Sequence, residues 1–184
     1  MNFLDHARSR FSLRSYVDTP VEREKIARCV EAAGLAPSAC NAQPWHFVIA
    51  DHREELRQLA SAAQTPGMPI NSFADQAPVI AALVAEKPNI SSQVGGYLKG
   101  KPFHLLDGGM AAEHFCLQAA EEGLGSCMLG WFDERRVKHV LGIPRKKGVV
   151  LLITAGYPGT QNVPKKKRKP VDEILSWGRY GQHA

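Results

Sequence analysis

Two uninterrupted apolar runs, residues 78–85 (PVIAALVA) and 149–155 (VVLLITA), set the first constraint on how this chain can fold. Each is far shorter than the ~20 residues of a membrane-spanning helix. The first lacks the polar alternation of a half-exposed strand and reads as a strand covered on both faces. The second is the last clear strand. Strands of that kind demand helices packed above and below them.

The remaining sequence supplies those helices. Residues 2–10 read as a short first helix. Thr19, Pro20 and Glu22 read as N-cap, first helical position and capping-box acid of a second helix carrying Ile26, Val30 and Ala33. Residues 45–50 (WHFVIA) look like a strand and residues 53–63 an amphipathic helix. Residues 64–75 are rich in breakers and read as a loop, and residues 90–102, with three glycines, as a candidate lid. A long helix over residues 105–122 places Gly109, Ala112, Cys116, Ala119 and Ala120 along one side, where another backbone can approach. Interspersed helices and buried strands give an α+β or mixed α/β layered domain. The 184 residues are read as a single domain.

Several function classes lose support. No G-x-G-x-x-G follows a strand and no G-x-x-x-x-G-K-[ST] occurs, so a nucleotide phosphate must be held by side-chain cations. The four cysteines show no C-x-x-C spacing, and the seven histidines no metal-ligand spacing. His46 is read as structural, and Asp107 as an N-cap of the long helix. The N-terminal residues carry no apolar signal-peptide core, which predicts a cytoplasmic protein without membrane association. The formal net charge of +5 equals the five cations at residues 165–169, so the rest of the chain is balanced. A nucleic-acid-coating protein spreads its basic surface more widely. The run KKKRK fits a solvated tail, a nuclear-import signal or a phosphate clamp, and taken alone it does not choose among them.

Three further segments could carry chemistry. Arg10, Ser12 and Arg14 in RFSLR fall on one side if the segment is extended, and would offer charged and neutral donors to phosphate oxygens; a solvated polar turn is the plain alternative. Residues 37–45 (PSACNAQPW) form a proline-bounded loop in which Asn41 and Gln43 present amides suited to the edge of a planar heterocycle, or else a simple turn into a strand. Residues 125–131 (GSCMLGW) form either a backbone edge for a flat ligand or a buried strand with glycine bends.

Read together, these blocks resemble the nitroreductase family. RFSLR resembles its R-x-S-x-R signature, residues 36–47 (APSACNAQPWHF) its APSxxNxQPW block, and residues 123–132 its GLGxxxxGxF segment. Gly156-Tyr157-Pro158, the basic run and residues 171–174 (VDEI) resemble its ending. The resemblance spans nearly the whole chain. It implies an α+β fold with a mostly antiparallel central sheet flanked by helices, in an interlocked homodimer carrying FMN at the subunit interface. It puts Arg10, Phe11, Ser12, Arg14, Lys166 and Arg168 on the FMN phosphate and ribityl chain, and Pro37, Ser38, Ala39 and Asn41 on it from the other subunit. Met128, Leu129 and Gly130 would lie beside the isoalloxazine, with the Leu129 N–H at flavin N5. The implied activity is ping-pong hydride transfer from NAD(P)H to small oxidised acceptors such as nitroaromatics or quinones. Phe73, Tyr97, Phe103 and Trp131 are candidate cleft aromatics. Reductive dehalogenation, flavin breakdown and a non-enzymatic basic binding module are the alternatives.

Overall fold

The two apolar runs pair with each other. In the computed structural model, which describes residues 2–64, 67, 70–89, 98, 100–160 and 164–182, β2 (Val79–Ala85) lies antiparallel to β4 (Gly148–Gly156). β1 (Trp45–Ala50) adds antiparallel to β2, and β3 (Gly125–Leu129) antiparallel to β4. The order is β1-β2-β4-β3, so the two continuous runs are the inner strands. All but the last residue of β2 is buried, as its lack of alternation requires.

A helical layer covers each face. On one side α2 (Arg23–Gly34) and α4 (Phe103–Glu121) pack Ile26, Cys29, Ala33, Ala111, Phe115 and Ala119 against Val79, Ala81, Leu83 and Ile153. On the other, α3 (Arg53–Ala63) and α5 (Glu134–Val140) pack Leu59, Ala63 and Val137 against Ile80, Ala82, Val84 and Leu152. Ile80, Leu83, Leu152 and Ile153 are fully buried, each contributing ~1.5–3 kcal/mol relative to exposure. The short helices α1 (Phe3–Ser9) and α6 (Val171–Ile174) have no buried residue.

Several local readings need correction. α2 starts at Arg23, after the expected capping box. The Glu22 carboxylate accepts from the Tyr157 hydroxyl at 2.6 Å instead of capping its own helix, and Val17 N–H is held by the Tyr157 carbonyl. Tertiary bonds therefore outcompete the local cap. The long helix begins at Phe103, so Asp107 lies inside it and cannot be its N-cap. Residues 72–76 of the expected loop form a 3-10 turn. α5 was not expected, although Asp133 caps it by accepting from the N–H groups of Arg135 and Arg136. Most of the candidate lid, with Tyr97, lies outside the described residues.

Candidate functional site

The segment after α1 is fastened to the sheet by its apolar members, and this aims its polar ones. Ser12 bridges Ser126 in parallel fashion, and Leu13 N–H donates to the Ser126 carbonyl at 3.0 Å. Leu13 is buried while Ser12 and Arg14 are exposed, the alternation expected of an extended strand. The slot for Leu13 exists because residue 125 is glycine: a Cβ there would lie 2.2 Å from Leu13 Cδ2. Its register partner Gly156 makes room in the same way, since a Cβ there would meet Pro78 and, at 2.9 Å, the Tyr16 ring. Of the two readings of residues 125–131, the buried strand with a glycine bend holds at Gly125, which admits a neighbouring side chain. Gly130 is different. It is exposed, with open space where a Cβ would stand.

Cations gather beside this segment. Arg10 presents its fork to Glu113 on α4, with Nη2 and Nε at 2.6 and 3.2 Å from the two carboxylate oxygens. Burial works against the Arg10 charge, but Glu113 outweighs it and the guanidinium is raised above its ordinary pKa. Lys166 Nζ donates to the Ala7 carbonyl at 2.7 Å, pinning the basic run to the end of α1. Burial, Arg10 and Arg168 all push the Lys166 ammonium below its usual value. Lys166 therefore feels repulsion from Arg10 and Arg168 and attraction from Glu113. Arg14 lies over the Phe73 ring at 5.8 Å. Arg14 and the Ser12 hydroxyl also face the Cys127 thiol, whose pKa burial raises and they oppose.

The proline-bounded loop is built separately. Asp107, 2% exposed, accepts the Ala39 N–H on both carboxylate oxygens at 3.2 Å. Ser38 Oγ accepts the Gln43 N–H at 2.9 Å, and Gln43 Nε2 donates to Asn41 Oδ1 at 3.1 Å. Cys40, Asn41 and Gln43 take φ of 51°, 50° and 45°, left-handed values that cost free energy in non-glycine residues, with Ala42 between them right-handed. The two amides expected to face a heterocycle are thus together, with the Gln43 donor already spent on Asn41. Pro37 and Asn41 are exposed.

One chain brings Arg10, Lys166 and Arg168 together and sets Ser12 and Arg14 on the adjoining segment. Met128, Leu129 and Gly130 end the neighbouring strand, with Phe11 half-buried against the core. Among the described residues, no hydrogen bond or ion pair joins Pro37, Ser38, Ala39 or Asn41 to that group. Of the candidate aromatics, Phe73 is core and Phe103 half-buried; Trp131 is 59% exposed, its carbonyl held by Asn71 Nδ2. His46 is exposed on β1. Glu113, Asp107 as a loop anchor, and Tyr16 carry no local sequence signal; their partners lie far along the chain.

Among the described residues no group of three His, Cys, Asp or Glu could hold a metal, and no helix is long and apolar enough to cross a membrane. The arrangement offers anion binding beside an open backbone edge.

Comparison with known proteins gives consistent results. The sequence profile of the nitroreductase family matches residues 7–157. A provisionally assigned NADH dehydrogenase/NAD(P)H nitroreductase of Archaeoglobus fulgidus is 34% identical over 156 residues, 82% of each chain. The oxygen-insensitive NADPH nitroreductase of Helicobacter pylori (strain J99) is 25% identical, with 96% of this chain and all of that one aligned. Among solved structures, an FMN-dependent nitroreductase of Clostridium difficile superposes with a TM-score of 0.77 at 26% identity, over 97% of this chain and 100% of that one.

Proposed function

Because the chain belongs to the nitroreductase family, we propose that it is an FMN-dependent oxidoreductase that takes reducing equivalents from NAD(P)H and passes them to small oxidised acceptors such as nitroaromatics or quinones. The observation that carries this reading is Lys166 Nζ held on the Ala7 carbonyl at 2.7 Å, three residues from Arg10 at the C-cap of α1, with Ser12 and Arg14 on the segment that follows. A flavin phosphate carries roughly −1.5 to −2 charge near neutral pH, and this donor set suits it. The open backbone at Gly130 suits a flat ring. When bound, FMN supplies hydride acceptance and donation in two half-reactions that share one cleft, the oxidised coenzyme leaving before the acceptor enters.

The protein's part is to bind and orient. Arg10, Ser12, Arg14, Lys166 and Arg168 hold the phosphate and ribityl end, relieving the repulsion among the cations. Met128, Leu129 and Gly130 present main chain to the ring, the Leu129 N–H at N5. Pro37, Ser38, Ala39 and Asn41 reach the cofactor from a second copy, as the family resemblance implies. No protein nucleophile is required.

A homodimer follows from the same reading. β1 is an open edge of the sheet, flanked by an apolar groove of about 550 Å³ lined by Val21, Ile26, Val30, Phe47 and Ile49. The tail leaves Ile174, Trp177 and Tyr180 70%, 63% and 104% exposed, and α4 leaves Leu105 and Leu106 uncovered. Apolar surface on that scale marks an interface.

The test is an absorbance spectrum of purified protein before and after FMN, then NADPH, then a nitroaromatic or quinone. Flavin bands that bleach with NADPH and return with the acceptor are expected. A protein that stays colourless after FMN and dialysis sinks the proposal.

A further inference from the structure

Beneath the exposed residues Ser12 and Arg14 lies a buried polar knot. Tyr16, 7% exposed, places its hydroxyl 3.1 Å from the Leu13 carbonyl and 2.7 Å from Thr154 Oγ1. Thr154, fully buried on β4, stands 3.3 Å from the Cys127 carbonyl on β3. Two hydroxyl protons serve these contacts. Either Tyr16 donates to Leu13 and accepts from Thr154, or it donates to Thr154, which donates to Cys127. The first bonds the Leu13 carbonyl and leaves that of Cys127 without a hydroxyl donor, the second does the reverse, and in both the Tyr16–Thr154 bond joins the segment to β4, which pairs with β3. Burial pushes the Tyr16 phenol upward, so it remains a protonated donor across the working range.

The Leu13 segment and β3 are the two halves of the site. Leu13 sits between Ser12 and Arg14, which face the anion. Cys127 immediately precedes Met128 on β3, the first of the residues proposed to present main chain to the ring. Gly156, beside Tyr16, leaves the space the phenol needs. Tyr16 and Thr154 are 138 residues apart in sequence.

We infer that Tyr16 and Thr154 are positioning residues that fix the distance between the phosphate-binding segment and the ring-binding strand, and so select a phosphorylated flavin over an unphosphorylated one. This rests on the flavin reading above. A clamp that sets the span acts on the contact at its far end, the phosphate. Loosening it costs the phosphate contacts while the ring contacts persist on β3.

Riboflavin has the same ring and ribityl chain as FMN without the phosphate, which makes the ratio of the two dissociation constants the informative quantity. Tyr16→Phe keeps the ring that fills the Gly156 slot and removes only the hydroxyl. Thr154→Val keeps the side-chain shape and removes the other. Both are expected to lower the preference for FMN over riboflavin about tenfold, the loss of one well-placed charge-assisted contact. Thr154→Ser retains the hydroxyl and is expected to retain the preference. Fluorescence titration of each flavin, with thermal melting of the flavin-free proteins, reads this out. A purely structural role would lower the melting temperature and leave the ratio where it was, which overturns the inference. Should Tyr16→Phe fail to fold, Thr154→Val against Thr154→Ser decides alone. Wild-type protein that binds neither flavin removes the functional reading itself, a failure visible before any variant is made, and this inference falls with it.

Discussion

The two halves of the candidate site are held by opposite means. The segment from Arg10 to Tyr16 is fastened from below: Leu13 fills a slot left by a glycine, Tyr16 another, and hydrogen bonds stitch Leu13 to Ser126 on β3 at 3.0 Å and Tyr16 to Thr154 on β4 at 2.7 Å. The loop from Pro37 to Gln43 is held by two side chains, the buried Asp107 carboxylate at the Ala39 N–H and the Asn89 amide at the Cys40 carbonyl, and by bonds among its own side chains. The first half inherits the stability of the core. The second spends free energy on three left-handed residues to hold its shape. Both hang on α4, one at Asp107 and the other at Glu113, six residues and ~9 Å of helix rise apart. The lesson is that the proposed anion site sits on rigid strands while its proposed complement is offered outward on a loop.

That contrast can be broken at its firmer half first. Gly125→Ala puts a methyl group into Leu13, displacing the entire anion-binding segment. A loss of about 3 kcal/mol in unfolding free energy is expected, together with loss of FMN binding; urea denaturation and flavin titration measure the two. Retention of both would show that the slot can relax.

A mixing experiment sharpens the comparison. Arg10→Ala damages one half and Asp107→Ala the other, and each alone is expected to weaken FMN binding at least tenfold, since a charge-assisted contact is worth ~1.5–3 kcal/mol. If each site takes one half from each copy, refolding the two variants together restores about a quarter of the sites, because random pairing makes half the dimers mixed and each of those holds one intact site. No recovery would place both halves in one chain.

The smallest effect tests the electrostatics. Lys166 is held below its ordinary pKa by burial and by Arg10 and Arg168. A basic group with a lowered folded pKa costs stability while it is charged, so flavin-free protein should gain stability as pH rises through that value toward 10.5. FMN affinity should move the other way, falling over the same range as the ammonium is lost. Lys166→Met should flatten both profiles; profiles unchanged in that variant would assign the effect elsewhere.

The inner strands, α3 and the extended alternation at residues 12–14 were legible because each is written in its own neighbours: an unbroken apolar run, an amphipathic period, a buried residue between two polar ones. What was not legible depended on distant parts of the chain. The capping box at Thr19 and Glu22 was locally sound, yet Tyr157 took the carboxylate. Gly125 looked like room for a ligand, and only the register of Leu13 shows otherwise. Glu113 and Tyr16 resemble any helix-surface acid or core aromatic until residues 103 and 138 positions away are brought beside them. Most of the candidate site was read from the shared order of four sequence blocks; Lys166 was one of five similar cations in the sequence, and the Ala7 carbonyl it bonds lies 159 residues away.

The open edge of β1 has a consequence for handling the protein. WHFVIA is short, uncharged and rich in strand-forming residues, and its outer backbone groups have no partner within the described sheet. A bare edge of that composition templates pairing with any other extended chain, and ordered aggregation begins from such edges. If a second copy covers it, the usual rule for keeping a protein in solution reverses: dilution, which separates copies, is what exposes the sticky strand, and the safer stock is the concentrated one.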